Sequence, residues 1–389
     1  MNLYLTADSI GTPTGGGSVT YHESAALREL GPCEVWGREQ LQQGCAPWQG
    51  LTNEEPWVWD EIALGKAFTQ LKTVPRLAHI YAGTFTRTVA QALKQNGCKV
   101  VYTAAAHDVA ASRRAHEELG LPFDYSHLND PTLWARYVKG YLDADVLVCP
   151  SQHSVDVMRG FGARQRIEVI PHGVDLPKCV QCDGLGGAVS TLSGSSSLPV
   201  VICNACKSTG NAPAAPLPPR FTVGYLGAYG PDKNVVSLLR AWAKLNYQDA
   251  VLVLGGRDSN SQWVHALLQH TGARNVCLAG WLDNVSDFYD GISLYVQPSV
   301  TEGFGCEVLE AMAHGRPVLC SRGAGAADLV PEGWRFAPGN VDELAGKIND
   351  VKVRGDVTGL GCPRWRDIAE GYTWPKIRTR YQALWRSLL

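Results

Sequence analysis

Short apolar runs alternate along the chain with stretches of helical periodicity. Asn2 to Leu5 (NLYL) reads as a first strand, Gly11 to Gly17 (GTPTGGG) as a glycine-rich loop, and Ser18 to Leu30 as a helix that stops at Gly31. Leu77 to Tyr81 is a second clear strand, followed by a helix through about Gln95. Lys99 to Ala104 is a third strand. Ala144 to Val148 is another, preceded by a helix around Thr132 to Leu142. The second half repeats the logic. Strands are expected at Phe221–Leu226, Ala250–Leu254, Val276–Ala279, Ile292–Gln297 and Pro317–Cys320. Helices are expected at Val235–Leu245 and Trp263–His270, and one starting at Cys306–His314. Strands separated by helices predict parallel sheets covered on both faces, so the chain reads as α/β with two doubly wound, Rossmann-like domains.

Residues 183–220 resemble neither half. They are rich in Gly, Ser, Ala and Pro (GLGGAVSTLSGSSS, then TGNAPAAPLPPR), which is linker composition. The last segment, Tyr372 to Leu389, is a helix bearing Trp374 and the arginines 378, 380 and 386.

Composition narrows the class. In 389 residues, 35 basic against 37 acidic side chains leave a net charge of −2, which excludes a whole-protein basic footprint for nucleic acid. No apolar run reaches the 18 or so residues a membrane-spanning helix needs, and the N-terminus lacks the basic and apolar regions of a secretory signal. A reducing, cytoplasmic location is therefore expected, with the 12 cysteines acting as thiols or metal ligands.

The densest chemistry lies at Glu302-Gly303-Phe304-Gly305, followed by Glu310-Ala311-Met312-Ala313 and Gly315-Arg316-Pro317-Val318. A strand ending at Gln297 feeds a loop whose glycines let backbone amides approach a ligand. A helix then begins near Glu307, and its N-terminus favours an anion. Glu302 and Glu310 are spaced so that both can face one cleft, and a carboxylate accepting from vicinal hydroxyls is a way to hold a ribose. Taken alone, acidic residues here would do no more than favour a first helical turn.

The segment EGFGCEVLEAMAHGRPVL resembles the E-x7-E signature of the retaining glycosyltransferases of the GT-B fold, in family 4 (group 1). Other positions agree in order: Gly15-Gly16-Gly17 with the N-terminal glycine loop, His107-Asp108 with the active-site His-Asp, and Ile170-Pro-His-Gly-Val-Asp175 with the segment closing the first domain. Tyr225-Leu-Gly-Ala228 with Asp232-Lys233 is similar to the phosphate segment, and Gln297-Pro298-Ser299 precedes the signature. The resemblance covers nearly all the chain except the linker-like insert. It implies two Rossmann-like domains facing a cleft: an acceptor-side domain over 1–175, an insertion over 176–219, a nucleotide-sugar domain over 220–371 and a C-terminal helix over 372–389 returning to the first domain. The implied reaction is transfer of a hexosyl-type group from a nucleotide-diphosphate sugar to an acceptor hydroxyl with the anomeric configuration retained.

Carried over by position, Glu310 would bind the donor ribose and Glu302, with Gly303, Phe304 and Gly305, the donor sugar. Lys233 would neutralise the diphosphate, His107 would contact the sugar near the reacting carbon, and Gly16 and Gly17 would line the junction of phosphate and acceptor. The resemblance assigns catalytic roles to His107, Glu302 and Lys233 and no catalytic metal. Ala228 departs from the family, which usually has Arg there; Arg257 and Arg322 are candidate substitutes. His172 stands where Asn is usual, and Cys306-Glu307 where an apolar pair is usual. The missing cation keeps two other readings open: a catalytically impaired scaffold that binds nucleotide or glycan and a partner, and a nucleotide-sugar epimerase of the same fold.

A second feature stands outside that pattern. Cys179-Val-Gln-Cys182 and Cys203-Asn-Ala-Cys206 are two C-x2-C pairs with the spacing of a four-cysteine zinc site. Four thiolates fill a tetrahedron, so the expectation is one structural Zn2+ per chain in a small zinc-ribbon-like module. Two disulfides or a redox pair are the rivals, disfavoured by compartment and by the absence of a thioredoxin-like context. No Lys or Arg lies between Cys179 and Cys206, which argues against nucleic acid as partner. Trp57, Trp59, Trp134 and Trp281 are candidates for an acceptor groove, although core packing is the better default. Arg113-Arg114 reads as a solvated helix face. The donor sugar, its base and the acceptor are not specified by any of these residues.

Overall fold

A computed structural model describes residues 1–6, 10, 15–43, 56–81, 87–104, 108–121, 138–177, 218, 220–355 and 363–389. The chain divides into two units, Met1–Gly173 with Trp374–Leu389, and Val174–Thr373.

The first unit contains β1 (Asn2–Leu5), α1 (Gly15–Arg28), β2 (Cys33–Trp36), α2 (Arg38–Gln42), α3 (Pro56–Gln70), β3 (Leu77–Tyr81), α4 (Arg87–Gln95), β4 (Lys99–Thr103), α5 (Val109–Glu118), β5 (Val146–Cys149), α6 (Gln152–Gly160) and β6 (Arg166–Val169). All its strand pairs are parallel, in the order β2-β1-β3-β4-β5-β6. The central strands are continuous apolar runs because helices cover both faces: Leu3, Leu5, Ile80, Val100, Tyr102 and Leu147 are completely buried. Side-chain caps start two helices, Asp108 accepting from the Ala111 N–H at 3.0 Å and Ser151 from the Ser154 N–H at 3.1 Å. The expected glycine loop is shorter than its composition implied, since α1 already begins at Gly15. Of the helix expected at Thr132–Leu142, residues 138–142 are helical and 131–137 lie outside the described residues.

The C-terminal helix, Trp374–Arg386, belongs to this unit and buries Trp374, Ile377, Tyr381, Leu384 and Trp385. Its anchor is a completely buried polar cluster at Glu23 of α1. The Glu23 carboxylate accepts from Tyr4 Oη at 2.7 Å, from Tyr381 Oη and from Thr103 Oγ1 at 3.3 Å, and lies 3.3 Å from His79 Nε2. Trp385 Nε1 donates to His79 Nδ1 at 3.1 Å, so Nδ1 is an acceptor, while Nε2 stands 2.9 Å from Thr103 Oγ1 and 3.3 Å from Glu23. Burial pushes the Glu23 carboxyl up, but His79 and the Tyr381 and Tyr4 hydroxyls outweigh it and hold the pKa below its ordinary value. Gly173 is required where the chain leaves the unit, because a Cβ there would lie 2.5 Å from the Trp374 ring.

The second unit contains β7 (Phe221–Leu226), α7 (Val235–Leu245), β8 (Ala250–Gly255), α8 (Gln262–Thr271), β9 (Val276–Gly280), α9 (Val285–Asp290), β10 (Leu294–Gln297), α10 (Cys306–Ala313), β11 (Val318–Ser321), β12 (Arg335–Phe336), α11 (Val341–Arg354) and α12 (Trp365–Glu370). Its sheet is again parallel, in the order β12-β11-β10-β7-β8-β9. The chain therefore winds outward in one direction from β7 and then in the other from β10, which makes the gap between these two strands the topological switch point. Among the described residues no helix is long and apolar enough to cross a membrane.

Candidate functional site

In open parallel sheets the crevice beyond the carboxyl ends of the strands, at the switch point, is the natural ligand position. In the second unit that crevice is bounded by the turn after β7 and the loop after β10. Gly227 (φ +151°) and Gly256 (φ +122°) let the turns after β7 and β8 press backbone to backbone: a Cβ on Gly256 would lie 2.1 Å from the Gly227 carbonyl oxygen. The chain then makes a single 3-10 turn, Pro231–Lys233, closed by left-handed Asn234 (φ 54°). Two bonds fasten this turn to the β10 loop. The Val300 N–H donates to Asp232 O at 2.8 Å, and Asn234 Nδ2 donates to Pro298 O at 3.1 Å.

The Glu302–Gly305 loop is clamped on its other side by backbone bonds. The Glu302 N–H donates to Gly323 O at 3.0 Å, the Gly325 N–H to Glu302 O at 2.9 Å, and the Ala326 N–H to Phe304 O at 2.7 Å. Gly303, Phe304 and Gly305 are buried, and Gly305 (φ +94°) starts α10 in a conformation that favours glycine. Lys233 Nζ forms an ion pair with Glu302 Oε2 across the two loops. Burial opposes the Lys233 charge, but Glu302 and Glu307 outweigh it and hold the ammonium well above its ordinary pKa. Lys233 is therefore charged at any physiological pH.

About one turn into α10, Glu310 receives a hydrogen bond on Oε2 from Tyr289 Oη at 2.6 Å. Tyr289 is fully buried at the end of α9. Burial raises the Glu310 carboxyl, with Tyr289 opposing. Tyr289 also packs against His314, ring centroids 5.3 Å apart, and His314 Nδ1 is bonded to Asp290 Oδ1 at 2.8 Å. Sequence reasoning passed over Tyr289; its only signal was a Phe-Tyr-Asp run ahead of the strand. It also undervalued Glu307, whose carboxyl is raised to about 7 by burial, opposed by Lys233 and reinforced by Glu302 and Glu310. The Cys306 thiol, raised by burial and by Glu307, stays protonated.

The structure thus brings together Lys233, Glu302, Gly303, Phe304, Gly305 and Glu310. Gly16 and Gly17 stand in the first turn of α1, in the first unit. His107 lies outside the described residues, and its neighbour Asp108 caps α5. Cys179, Cys182, Cys203 and Cys206 lie outside them too, as do Trp134 and the side chains of Trp57 and Trp59. Of the candidate substitutes for a cation at Ala228, Arg322 is bound to Glu332 at 2.6 Å and lies 3.8 Å from Glu343, while exposed Arg257 stands 5.4 Å over the Trp281 ring. Arg113 and Arg114 are exposed on α5. Among the described residues no group of three or more His, Cys, Asp or Glu side chains is arranged to hold a metal ion.

Family models match both parts of the chain: "Glycosyltransferase Family 4" over residues 14–178 and "Glycosyl transferases group 1" over residues 220–352. Each of the two domains is thus similar to a domain of the group 1 and family 4 glycosyltransferases. Curated relatives of these glycosyltransferase domains include the O-antigen chain mannosyltransferase B of Escherichia coli, 29% identical over 157 residues that cover 37% of this chain and 38% of that protein. The sulfoquinovosyl transferase SQD2 of Arabidopsis thaliana is 31% identical over 104 residues, 25% of this chain and 20% of that protein. The chain thus spans less than half the length of these curated relatives. Solved structures extend the likeness over the whole fold. Sucrose-phosphate synthase from Thermosynechococcus elongatus superposes with a TM-score of 0.73 at 18% identity, covering 100% of this chain and 98% of that one. Anabaena HepE, solved with UDP and glucose, superposes at 0.66 and 19%, covering 100% of both. The architecture is GT-B.

Proposed function

We propose that the protein transfers a glycosyl group from a nucleoside-diphosphate sugar to an acceptor hydroxyl with retention of anomeric configuration. The observation that carries this reading is the Lys233–Glu302 pair at the switch point, with Glu310 about one turn into α10, the helix that follows Glu302. Glu310, oriented by Tyr289, leaves Oε1 for the ribose hydroxyls. Glu302 and the amides of Gly303 to Gly305 hold the sugar, while Lys233 and the start of α10 face the diphosphate. His107, Gly16 and Gly17 complete the site by resemblance. In the step itself the bond from the anomeric carbon to the diphosphate oxygen breaks, and the acceptor oxygen bonds to that carbon on the same face. The acceptor proton passes to the departing diphosphate. Glu302 and Glu310 act by binding, not as the acid and nucleophile of a hydrolase.

The experiment is a donor-hydrolysis screen across UDP-, GDP- and ADP-sugars with Glu310→Ala and Lys233→Ala as controls. Turnover of one class, lost in both variants, supports the transferase. A binding scaffold is the second reading, favoured by Ala228 and Glu307 in place of positive or neutral groups around the pocket. Nucleotide binding without turnover of any donor or acceptor supports it instead.

The four cysteines carry a separate proposal, a structural zinc held by Cys179, Cys182, Cys203 and Cys206, on the strength of their spacing. Zinc would draw together a Gly/Ser-rich segment with little core of its own. Elemental analysis of protein purified without added metal returns about one zinc per chain, and Cys→Ser changes within either pair remove it. Zinc content near zero refutes the site.

A further inference from the structure

Lys233 is surrounded by more than one carboxyl group. Glu302 is already paired with Lys233, and Glu307 and Glu310 follow on the first turns of α10. Glu307 Oε1 lies 4.0 Å from the position a Cβ would take on Gly227, so this carboxyl reaches over the turn after β7. It also accepts a hydrogen bond from its own backbone N–H, one of the free amides at the start of the helix. The carboxyl of Glu307 therefore stands where helix N-terminus, glycine turn and lysine converge, the position in which a phosphate would be bound. Two anions about 4 Å apart repel by about 4 kcal/mol at an effective dielectric near 20. A neutral carboxyl at the same place offers an O–H to a phosphoryl oxygen, a strong charge-assisted hydrogen bond.

We propose that Glu307 is a diphosphate-contacting residue that serves the donor as the neutral acid, its O–H bonded to a phosphoryl oxygen, and that its ionised form expels the donor. The proposal rests on the nucleoside-diphosphate-sugar reading of this site and deepens it. Every element around Glu307 contributes a titratable neighbour: Lys233 and Asp232 from the 3-10 turn, Glu302 from the loop, Cys306 and Glu310 from its own helix, Tyr225 from β7, Tyr295 from β10 and Tyr289 from α9. Lys233 stays charged across the neutral range, and burial keeps the three tyrosines and the thiol protonated there. Burial and the neighbouring carboxylates hold Glu307 at about 7, so it changes charge within the physiological range. The sign follows directly: donor affinity is full below that value and falls as pH rises through it.

The test is calorimetric binding of UDP-glucose and GDP-mannose between about pH 5.5 and 8.5, a window in which the phosphate diesters of both probes do not titrate. Wild-type affinity for the cognate probe falls roughly thirtyfold from about pH 6 to 8.5, the limit for one proton with a pKa of about 7. Glu307→Gln, uncharged but still able to donate, loses that fall and binds more tightly than wild type at the alkaline end. Glu307→Val also loses the fall but binds about tenfold more weakly than Glu307→Gln at pH 6, the cost of the missing hydrogen bond. A Glu307→Gln profile as steep as wild type overturns the proposal, and equal affinity of the Gln and Val variants overturns the direct contact. Failure of wild type and both variants to bind these probes, or any other sugar of the UDP-, GDP- and ADP-sugar screen, at every pH defeats the nucleotide-sugar reading itself and this proposal with it.

Discussion

Tyr289 Oη reaches Glu310 Oε2 at 2.6 Å from a fully buried position, so one oxygen of the Glu310 carboxyl is fixed by the protein, and the proposed ribose contact falls to the other. Removing a hydrogen bond to a charged group costs about 1.5 kcal/mol, which is about tenfold in affinity. Tyr289→Phe is therefore expected to weaken donor binding by about tenfold while leaving turnover at saturating donor nearly unchanged. The check is KM against kcat for Tyr289→Phe, Glu310→Ala and the double variant. The phenylalanine has little further effect once Glu310 is gone, because it acts through that carboxyl. Additive losses would refute the positioning role.

Lys233 has a structural partner as well as a proposed ligand, and the two roles separate by mutation. Lys233→Met leaves the partly buried Glu302 carboxylate without its ion pair, so unfolding free energy falls by about 2 kcal/mol. Pairing Lys233→Met with Glu302→Leu removes the stranded charge and restores most of the stability. Donor binding is restored in neither variant. Urea denaturation beside nucleotide titration measures both, and recovery of binding in the double variant would contradict the assignment of Lys233 to the diphosphate.

Glycine requirements near the site are specific enough to rank. Gly256→Ala places a methyl 2.1 Å from the Gly227 carbonyl in a backbone of φ +122°, so neither strain nor clash can be relieved locally. A loss of about 3 kcal/mol and weakened nucleotide binding are expected, since the turn after β7 must move. Gly346, inside α11 with nothing within 4 Å of its Cβ position, behaves oppositely: Gly346→Ala gains about 0.5–1 kcal/mol. Thermal melts of the two variants rank them.

Strands such as Leu77–Tyr81 and Phe221–Leu226 were legible because parallel strands covered on both faces must be continuous apolar runs. The strands that escaped, Cys33–Trp36, Arg166–Val169 and Arg335–Phe336, are less buried and interleave charge, so their pattern is broken. The helix Pro56–Gln70 escaped because its aromatic start (PWVW) has no polar face to mark a period. Within the site, Glu302, Lys233 and Glu310 were legible from motif order. Tyr289 was not, because its role depends on α9 packing beneath α10, a contact that sequence spacing does not encode. In the sequence Glu307 is one more acid favouring a first helical turn; only the closeness of Gly227 and Lys233 gives its charge a consequence. The Glu23 cluster was invisible for the same reason, since its donors come from β1, β3, β4 and a helix at the far end of the chain.

That cluster yields the remaining prediction. A buried carboxylate met by hydroxyls of Tyr4, Tyr381 and Thr103 and by the His79 ring ties α1 to the C-terminal helix. Glu23→Leu takes the acceptor from the Tyr4 hydroxyl in a dry core and leaves Tyr381 and His79 to share Thr103, at a cost of about 3 kcal/mol, whereas Glu23→Gln keeps most of the acceptor geometry and costs less. Amide exchange localises the effect: protection is lost first across Trp374–Arg386, because Tyr381 and Trp385 take their polar partners from this cluster. The pKa of Glu23 is depressed on folding, so its contribution is present above the unfolded value of about 4.5 and is lost as pH falls through the folded one. Wild type therefore loses stability to Glu23 protonation in acid, and Glu23→Gln, already uncharged, shows a shallower acid slope. Parallel slopes for the two proteins, or exchange in the C-terminal helix unchanged by Glu23→Leu, would show that the helix is held by its apolar face alone.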